Sequence, residues 1–335
     1  MRKILLVACV LPFVIGVNTD ANSIGKGIFP NTSVLVGAKM IQVGSLTRVA
    51  SSSCGGNPGV SVCHRKTPFL TKVAVSMNDL ILAKNGSTTV TVTATNPGVP
   101  TVRGGFCADL TLGALVAGTD TQINTGGTAI THKLFTTRFW TFGIKAGTKT
   151  GLGEFYVVGN CVNGNGRADG ADEWGFHSSK ILATDSTPVR MYTNADGVTS
   201  TGPGCDDGHG NQSVFGCPNP PTVGNSNFRF EGFGLPPSSL FFFMLSVGGP
   251  TPKIDMTALG APGCFLRTSL QIEALGPTSG GDAVRGEGKV ILPGPIPNDP
   301  NLRGLVIYAQ LGALDKNPKR TFPWIVTNGL KIVIN

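Results

Sequence analysis

The groups in this 335-residue chain that could do chemistry are few: 4 histidines, 19 acidic residues and 8 cysteines. His64, His132, His177 and His209 are scattered, and no G-x-S-x-G elbow or H-E-x-x-H motif accompanies them. Asp206-Asp207-Gly208-His209 is the densest acid–imidazole stretch. It lies in a glycine-rich turn beside Cys205, where Asp and Gly serve turn geometry. The remaining carboxylates are dispersed, so no glycosidase pair can be nominated. Calcium is the better-formed ligand idea. Asn163, Asn165, Asp169 and Asp172 alternate as oxygen donors in one glycine-rich loop, which suits a hard cation wanting six to eight oxygens. Arg167 stands where a further donor would fall, so the loop predicts weak calcium binding, with an Asn-Gly turn as the plain alternative.

The N-terminus bears on the cysteines. Arg2-Lys3 precede an uncharged run from Ile4 to Val17, and Thr19-Asp20-Ala21 offers small residues for cleavage. That is the layout of a secretory signal peptide over residues 1–21. Its apolar run is too short to span a bilayer, which takes about 20 residues. The mature chain is expected to begin near Asn22 and to be secreted or held at the cell surface, with no transmembrane helix. In an oxidising compartment disulfides are the default reading. Cys107 precedes a strand-length segment and Cys161 follows another, and a Cys107–Cys161 bond is expected. Cys205 and Cys217 are close in sequence and are expected to pair, leaving Cys264 reduced and buried. Removing Cys9 with the leader leaves an odd number of thiols.

The elements that would position these groups are strands. Gly (47) and Pro (23) are abundant, charged residues are only 14%, and Thr, Val and Ser fill the runs between turn dipeptides. Net charge is +8, yet no Lys/Arg run exceeds two residues, so no nucleic-acid surface is expected. Residues 22–65 read as an N-terminal arm. From Phe69 the period becomes two: Lys72 to Val75, Thr89 to Thr93, Phe106 to Val116, Phe139 to Ile144, Phe155 to Val158 and Trp174 to Phe176 read as strands. This makes residues 66–185 a β-sandwich of immunoglobulin-like strand count. Residues 186–204 are rich in turn dipeptides and read as a linker. Residues 205–335 resume strand-length runs, at Phe228 to Phe230, Leu240 to Leu245, Phe265 to Leu275, Ala283 to Leu292, Leu305 to Tyr308 and Leu330 to Ile334. The expected fold is therefore all-β, with two tandem β-sandwiches behind a signal peptide.

The stretch 151–177, GLGEFYVVGNCVNGNGRADGADEWGFH, resembles the reelin-type (reeler, or choice-of-anchor) sandwich of secreted bacterial proteins. There a penultimate FY-x-x-GN strand precedes an N-x-NG-x-G loop and a final strand, and Phe139-Trp140-Thr141-Phe142 resembles the strand before it. The resemblance covers roughly residues 60–185. Its family often carries Cys-x-x-Cys-His, the c-type haem signature, ahead of the sandwich. Here Cys63-His64 is present but the preceding cysteine is Cys54, whereas haem attachment wants both thiols two residues apart. A Cys54–Cys63 disulfide is the favoured reading, and a haem-c electron-transfer protein using Cys63 and His64 is the rival. The second half resembles a C-terminal module of secreted planctomycete-type proteins, through Gly204-Cys205, Gly216-Cys217-Pro218, Ala261-Pro262-Gly263-Cys264 and Ile296 to Pro300. That module carries no activity to transfer.

Phe241-Phe242-Phe243 would point Phe242 away from its neighbours, either into a docking patch or under covering chain. Together these readings predict a non-enzymatic protein for adhesion, matrix attachment, or carbohydrate or protein binding. A secreted hydrolase is the weaker alternative.

Overall fold

The computed structural model describes residues 34–36, 39–41, 71–123, 129–133, 136–165, 173–177, 188–206, 211–247, 253–269, 271–280, 286–315 and 321–335. The leader, Cys54, Cys63, His64, Asp169 and Asp172 lie outside them. β1 (Val34–Val36) and β2 (Lys39–Ile41) form an antiparallel pair. Everything else described is built on strands, with two single 3₁₀ turns at Thr257–Leu259 and Pro300–Leu302.

The first sandwich contains β3 (Lys72–Met77), β4 (Ile81–Ala83), β5 (Ser87–Thr95), β6 (Gly104–Leu110), β7 (Ala114–Val116) and β8 (Thr121–Ile123). β9 (Ala129–His132), β10 (Phe139–Lys145), β11 (Gly151–Cys161), β12 (Glu173–Phe176) and β13 (Val189–Asn194) complete it. One sheet runs β3-β5-β10-β7 and the other β4-β13-β11-β6-β9-β8, with β12 also on β11. Period-two alternation builds the core between them: Val90, Val92 and Ala94 of β5 turn inward with Trp140, Phe142 and Ile144 of β10. They meet Phe106, Ile130, Phe155 and Val157 of the facing sheet. The turn Asn85-Gly86 carries the chain from β4 in one sheet to β5 in the other, with Asn85 at φ 57°, a left-handed conformation Asn tolerates. The run expected to continue from Phe106 to Val116 instead breaks at Gly113, whose φ of 105° turns the chain from one sheet to the other.

The second sandwich contains β14 (Val198–Gly202), β15 (Val214–Gly216), β16 (Arg229–Leu235), β17 (Leu240–Val247), β18 (Ile254–Asp255) and β19 (Phe265–Leu266). It is finished by β20 (Ile272–Pro277), β21 (Gly288–Pro293), β22 (Val306–Leu314), β23 (Trp324–Val326) and β24 (Gly329–Val333). The sheet β14-β24-β22-β17-β20, with β23 on β22, faces the sheet β15-β16-β21. Phe215, Phe230 and Phe243 interlock between them, with ring centroids 4.9–6.3 Å apart. The expected strand Phe265 to Leu275 is split into β19 and β20, which join different partners.

Residues 188–204, the described part of the expected linker 186–204, are not a linker. They hold β13, which lies between β11 and β4 in the first sandwich, and β14, which pairs β24 in the second. The change of sandwich takes place within Ala195-Asp196-Gly197. Gly197 adopts φ 83° there, and the Val198 N–H donates to the Ala195 carbonyl at 3.2 Å. Asp196 and Gly197 do form a turn; β13 before it is buried on both faces and so shows no alternation, and β14 after it is short, with one buried residue.

Candidate functional site

Around that crossing the two sandwiches are clamped together. Tyr192 Oη donates to Glu231 Oε2 at 2.8 Å, and Arg229 Nε donates to Glu231 Oε1 at 2.7 Å. Burial, and the Glu231 carboxylate after it, push the Tyr192 hydroxyl far above its ordinary range, so it stays a neutral donor. The Tyr192 ring stacks on Phe233 at 6.3 Å and lies where a side chain at position 216 would stand, a place filled by Gly216. Asn194 Oδ1 accepts from the Cys217 N–H at 2.9 Å, and the Cys217 carbonyl accepts from the Ala195 N–H at 3.0 Å. Thr150 Oγ1 donates to the Pro218 carbonyl at 2.7 Å, and Lys84 pairs with Asp196 at 2.6 Å at the rim.

Beside this clamp a cleft of about 240 Å³ opens between the sandwiches. The first contributes Val75, Ser76 and Met77 of β3, Leu80, His177, Pro188, and Val189 and Arg190 of β13; the second contributes Asp206, Asn211 and Gln212. Arg190 is positioned by register: it lies opposite Glu154 across the β13–β11 ladder, and their side chains come within 3.8 Å. Burial lowers the Arg190 pKa, while Glu154, Tyr156 and Glu287 oppose that shift. Tyr156 Oη in turn donates to Glu154 Oε2 at 2.8 Å. His177 closes the end of β12; its backbone N–H donates to the Val157 carbonyl at 3.1 Å. Its Nδ1 lies 3.2 Å from the Val73 carbonyl, which can only accept, so this nitrogen carries the proton. Burial lowers the His177 pKa against that backbone bond, which leaves a neutral ring with Nε2 as an acceptor. Asp206 is bridged through its backbone to Gln212, and Asn211 Nδ2 donates to the Gly234 carbonyl at 2.8 Å. The cleft thus offers a buried cation, an imidazole, a carboxylate and amides, next to Val75, Met77, Leu80 and Val189.

The other candidate residues are placed differently. Cys107 and Cys161 are not bonded to each other: the β6–β11 ladder sets Cys107 opposite Val158 and Cys161 opposite Gly104, so the thiols never face. Cys161 is buried in the first core, and burial raises its thiol pKa. Cys205 bonds Cys264, not Cys217, across a Cα–Cα distance of 4.7 Å. Chain proximity misled here. Cys217 follows β15, whose other end leads back to Asp206, and it is buried as a thiol against the junction. The expected burial of Cys264 is seen; its expected reduced state is not. Of the calcium donors, Asn163 Oδ1 accepts from the Asn165 N–H at 3.0 Å, an Asx turn, and the Arg103 guanidinium donates to the Gly164 carbonyl at 3.0 Å. Among the described residues no three His, Cys, Asp or Glu side chains converge on a metal position. No helix among them is long and apolar enough to cross a membrane.

Phe242 is neither fully buried nor free. It is half-buried, with its ring over Gly312 and edge-on to Trp324 at 4.8 Å, while Phe241 and Phe243 enter the core. Arg190, Tyr192 and Glu231 were not singled out from sequence. The signal available was Val189-Arg190-Met191-Tyr192, a strand-length run closed by Ala195-Asp196-Gly197.

No family model and no curated protein matches the chain. Among solved structures, the adhesin InvE of Yersinia pseudotuberculosis aligns at 12% identity, with 78% of this chain and 58% of that chain covered and a TM-score of 0.22. The Escherichia coli adhesin FdeC aligns at 14% identity over 78% of this chain and 64% of that one, with a TM-score of 0.18. Escherichia coli alpha-2-macroglobulin activated by porcine elastase gives 11%, 79%, 22% and 0.24 for the same measures. The chain spans about three fifths of the length of the two adhesin chains. Likeness this slight has no bearing on function.

Proposed function

We propose that this chain is an exported, non-enzymatic binding protein that acts at a cell surface or in its surroundings, in adhesion, matrix attachment or ligand capture. Ligand enters the cleft between the sandwiches. The observation that carries this is the pairing of cleft and clamp: polar groups from both sandwiches line one recess, and buried bonds next to it fix how the sandwiches meet. Walls held in place before binding cost little ordering when ligand arrives. The Cys205–Cys264 disulfide supports the exported setting, since such bonds persist in oxidising compartments. The leader-like first 21 residues agree with it.

The test uses the natively exported chain against immobilised matrix proteins and glycans, alongside Gln212→Trp. Gln212 is an exposed cleft residue, so the bulky ring fills the recess without touching a core. Binding by the wild type that the variant loses is the expected result. Equal binding by both would place the ligand elsewhere.

A further inference from the structure

We propose that the cleft takes one neutral, hydroxylated ring, the chemistry of a single sugar residue at the end of a glycan; this rests on the cleft being the binding site. Size comes first. About 240 Å³ falls below the 300–1,000 Å³ of pockets that hold drug-sized molecules, so the occupant is a small unit or the tip of a larger one. The lining has two characters. Val75, Met77, Leu80 and Val189 offer apolar surface that suits the C–H face of a ring. Arg190 donates, Asp206 accepts, and Gln212 does both, which suits hydroxyls that are donors and acceptors at once. His177 adds an acceptor at Nε2, since Nδ1 is held by the Val73 carbonyl.

Charge then narrows the class. The Arg190 guanidinium would by itself invite a carboxylate or a sulfate. It already faces Glu154 at 3.8 Å, with Glu287 acting on it from the second sandwich. Asp206 lines the same recess. An anionic ligand finds Arg190, the one cationic side chain among the described residues of the lining, already matched by Glu154, with the Asp206 carboxylate in the same lining, where like charges are costly. A neutral polyol meets no such opposition and can use both signs.

The experiment is a glycan array read with the full exported chain, with neutral, sialylated, uronic and sulfated members. Hits are then titrated by calorimetry against wild type, Gln212→Trp and Met77→Trp. The expected result is binding of neutral glycans, weakened about tenfold or more by either tryptophan, with acidic counterparts about tenfold weaker than neutral ones. Acidic glycans bound as well as neutral ones, with the tryptophans still blocking, would overturn the ligand class and leave the cleft standing as the site. Neutral glycans bound equally by wild type and both variants would overturn the cleft itself. No glycan bound, with matrix proteins still bound in a manner that Gln212→Trp abolishes, would overturn the sugar and keep the site.

Discussion

The two sandwiches solve one problem in different ways. Each has a strand covered on both faces: β6 in the first, with buried residues from Gly104 to Asp109, and β22 in the second, from Tyr308 to Ala313. In the second the covering chain is the 253–269 excursion, which carries the two-residue strands β18 and β19 and the 3₁₀ turn between them. It is secured at Gln310, whose Oε1 accepts from the Arg267 N–H at 2.9 Å and whose Nε2 donates to the Phe265 carbonyl at 3.0 Å. The Cys205–Cys264 bond ties the same excursion to the chain after β14. Among the described residues the first sandwich has no such clip. Its buried Cys161 faces the bare backbone of Gly104, and ladders of seven residues join β10 to β5 and β11 to β6, the same length as the β17–β22 ladder of the second sandwich. The covalent bond is found where the covering chain itself pairs through only two residues, β18 with β19.

Breaking the first sandwich at its packing should give the largest effect. Trp140 is fully buried among Phe106, Phe142 and Ile144. Trp140→Ala should cost about 4–5 kcal/mol, the upper part of the range for aromatic truncation. Urea unfolding should show this insensitive to reductant. The clip comes next. Cys264→Ser, or reduction, should remove about 4 kcal/mol for a loop closed at a sequence separation of 59, before any compensation. If reductant leaves the second sandwich's unfolding midpoint where it was, the contrast between the two halves fails.

The junction between them is a smaller contribution with a pH signature. Tyr192→Phe removes a hydrogen bond to a buried carboxylate and should cost about 1.5–3 kcal/mol near neutrality. The Tyr192 pKa is raised on folding, so the neutral form's advantage is full below the unfolded value of 10.0. Above that pH the unfolded chain releases the proton first, and wild-type stability should fall more steeply with pH than that of Tyr192→Phe. Parallel slopes from pH 9 to 11 would contradict the buried, neutral phenol. The smallest effect belongs to the half-open outer face: Phe242→Ala should cost about 1–2 kcal/mol, well below a core phenylalanine, because only part of the ring is covered. Limited proteolysis sharpens the boundary. Cleavage should spare 189–202, since both strands there are paired, and a cut inside Val189–Asn194 ahead of other sites would argue against β13 as an interior strand.

Much of the strand content was legible because one face of each strand meets water. Thr89-Val90-Thr91-Val92-Thr93 alternates in sequence and in burial, and Phe139 to Ile144 does the same. The site was not legible. Arg190 and Tyr192 lie on a strand covered on both sides, where alternation vanishes, and flanking turn residues made it look like a linker. Glu231 is separated from Tyr192 by 39 residues and meets it only across the junction.

What the sequence determined alone was local: turns at Asn85-Gly86 and Ala195-Asp196-Gly197, the all-β class, and the alternating strands, since each depends on backbone preference and nearest neighbours. Tertiary structure decided what depends on which strands meet. It chose Cys264 over Cys217 as the partner of Cys205, because disulfide geometry follows distance in space, and the closure of a short loop does not bring two thiols together. It also assembled the cleft. Its residues come from β3, Leu80, His177 after β12, β13 and the Asp206–Gln212 bridge, and the two sandwiches bring them together because β13 and β14 enter different sandwiches three residues apart.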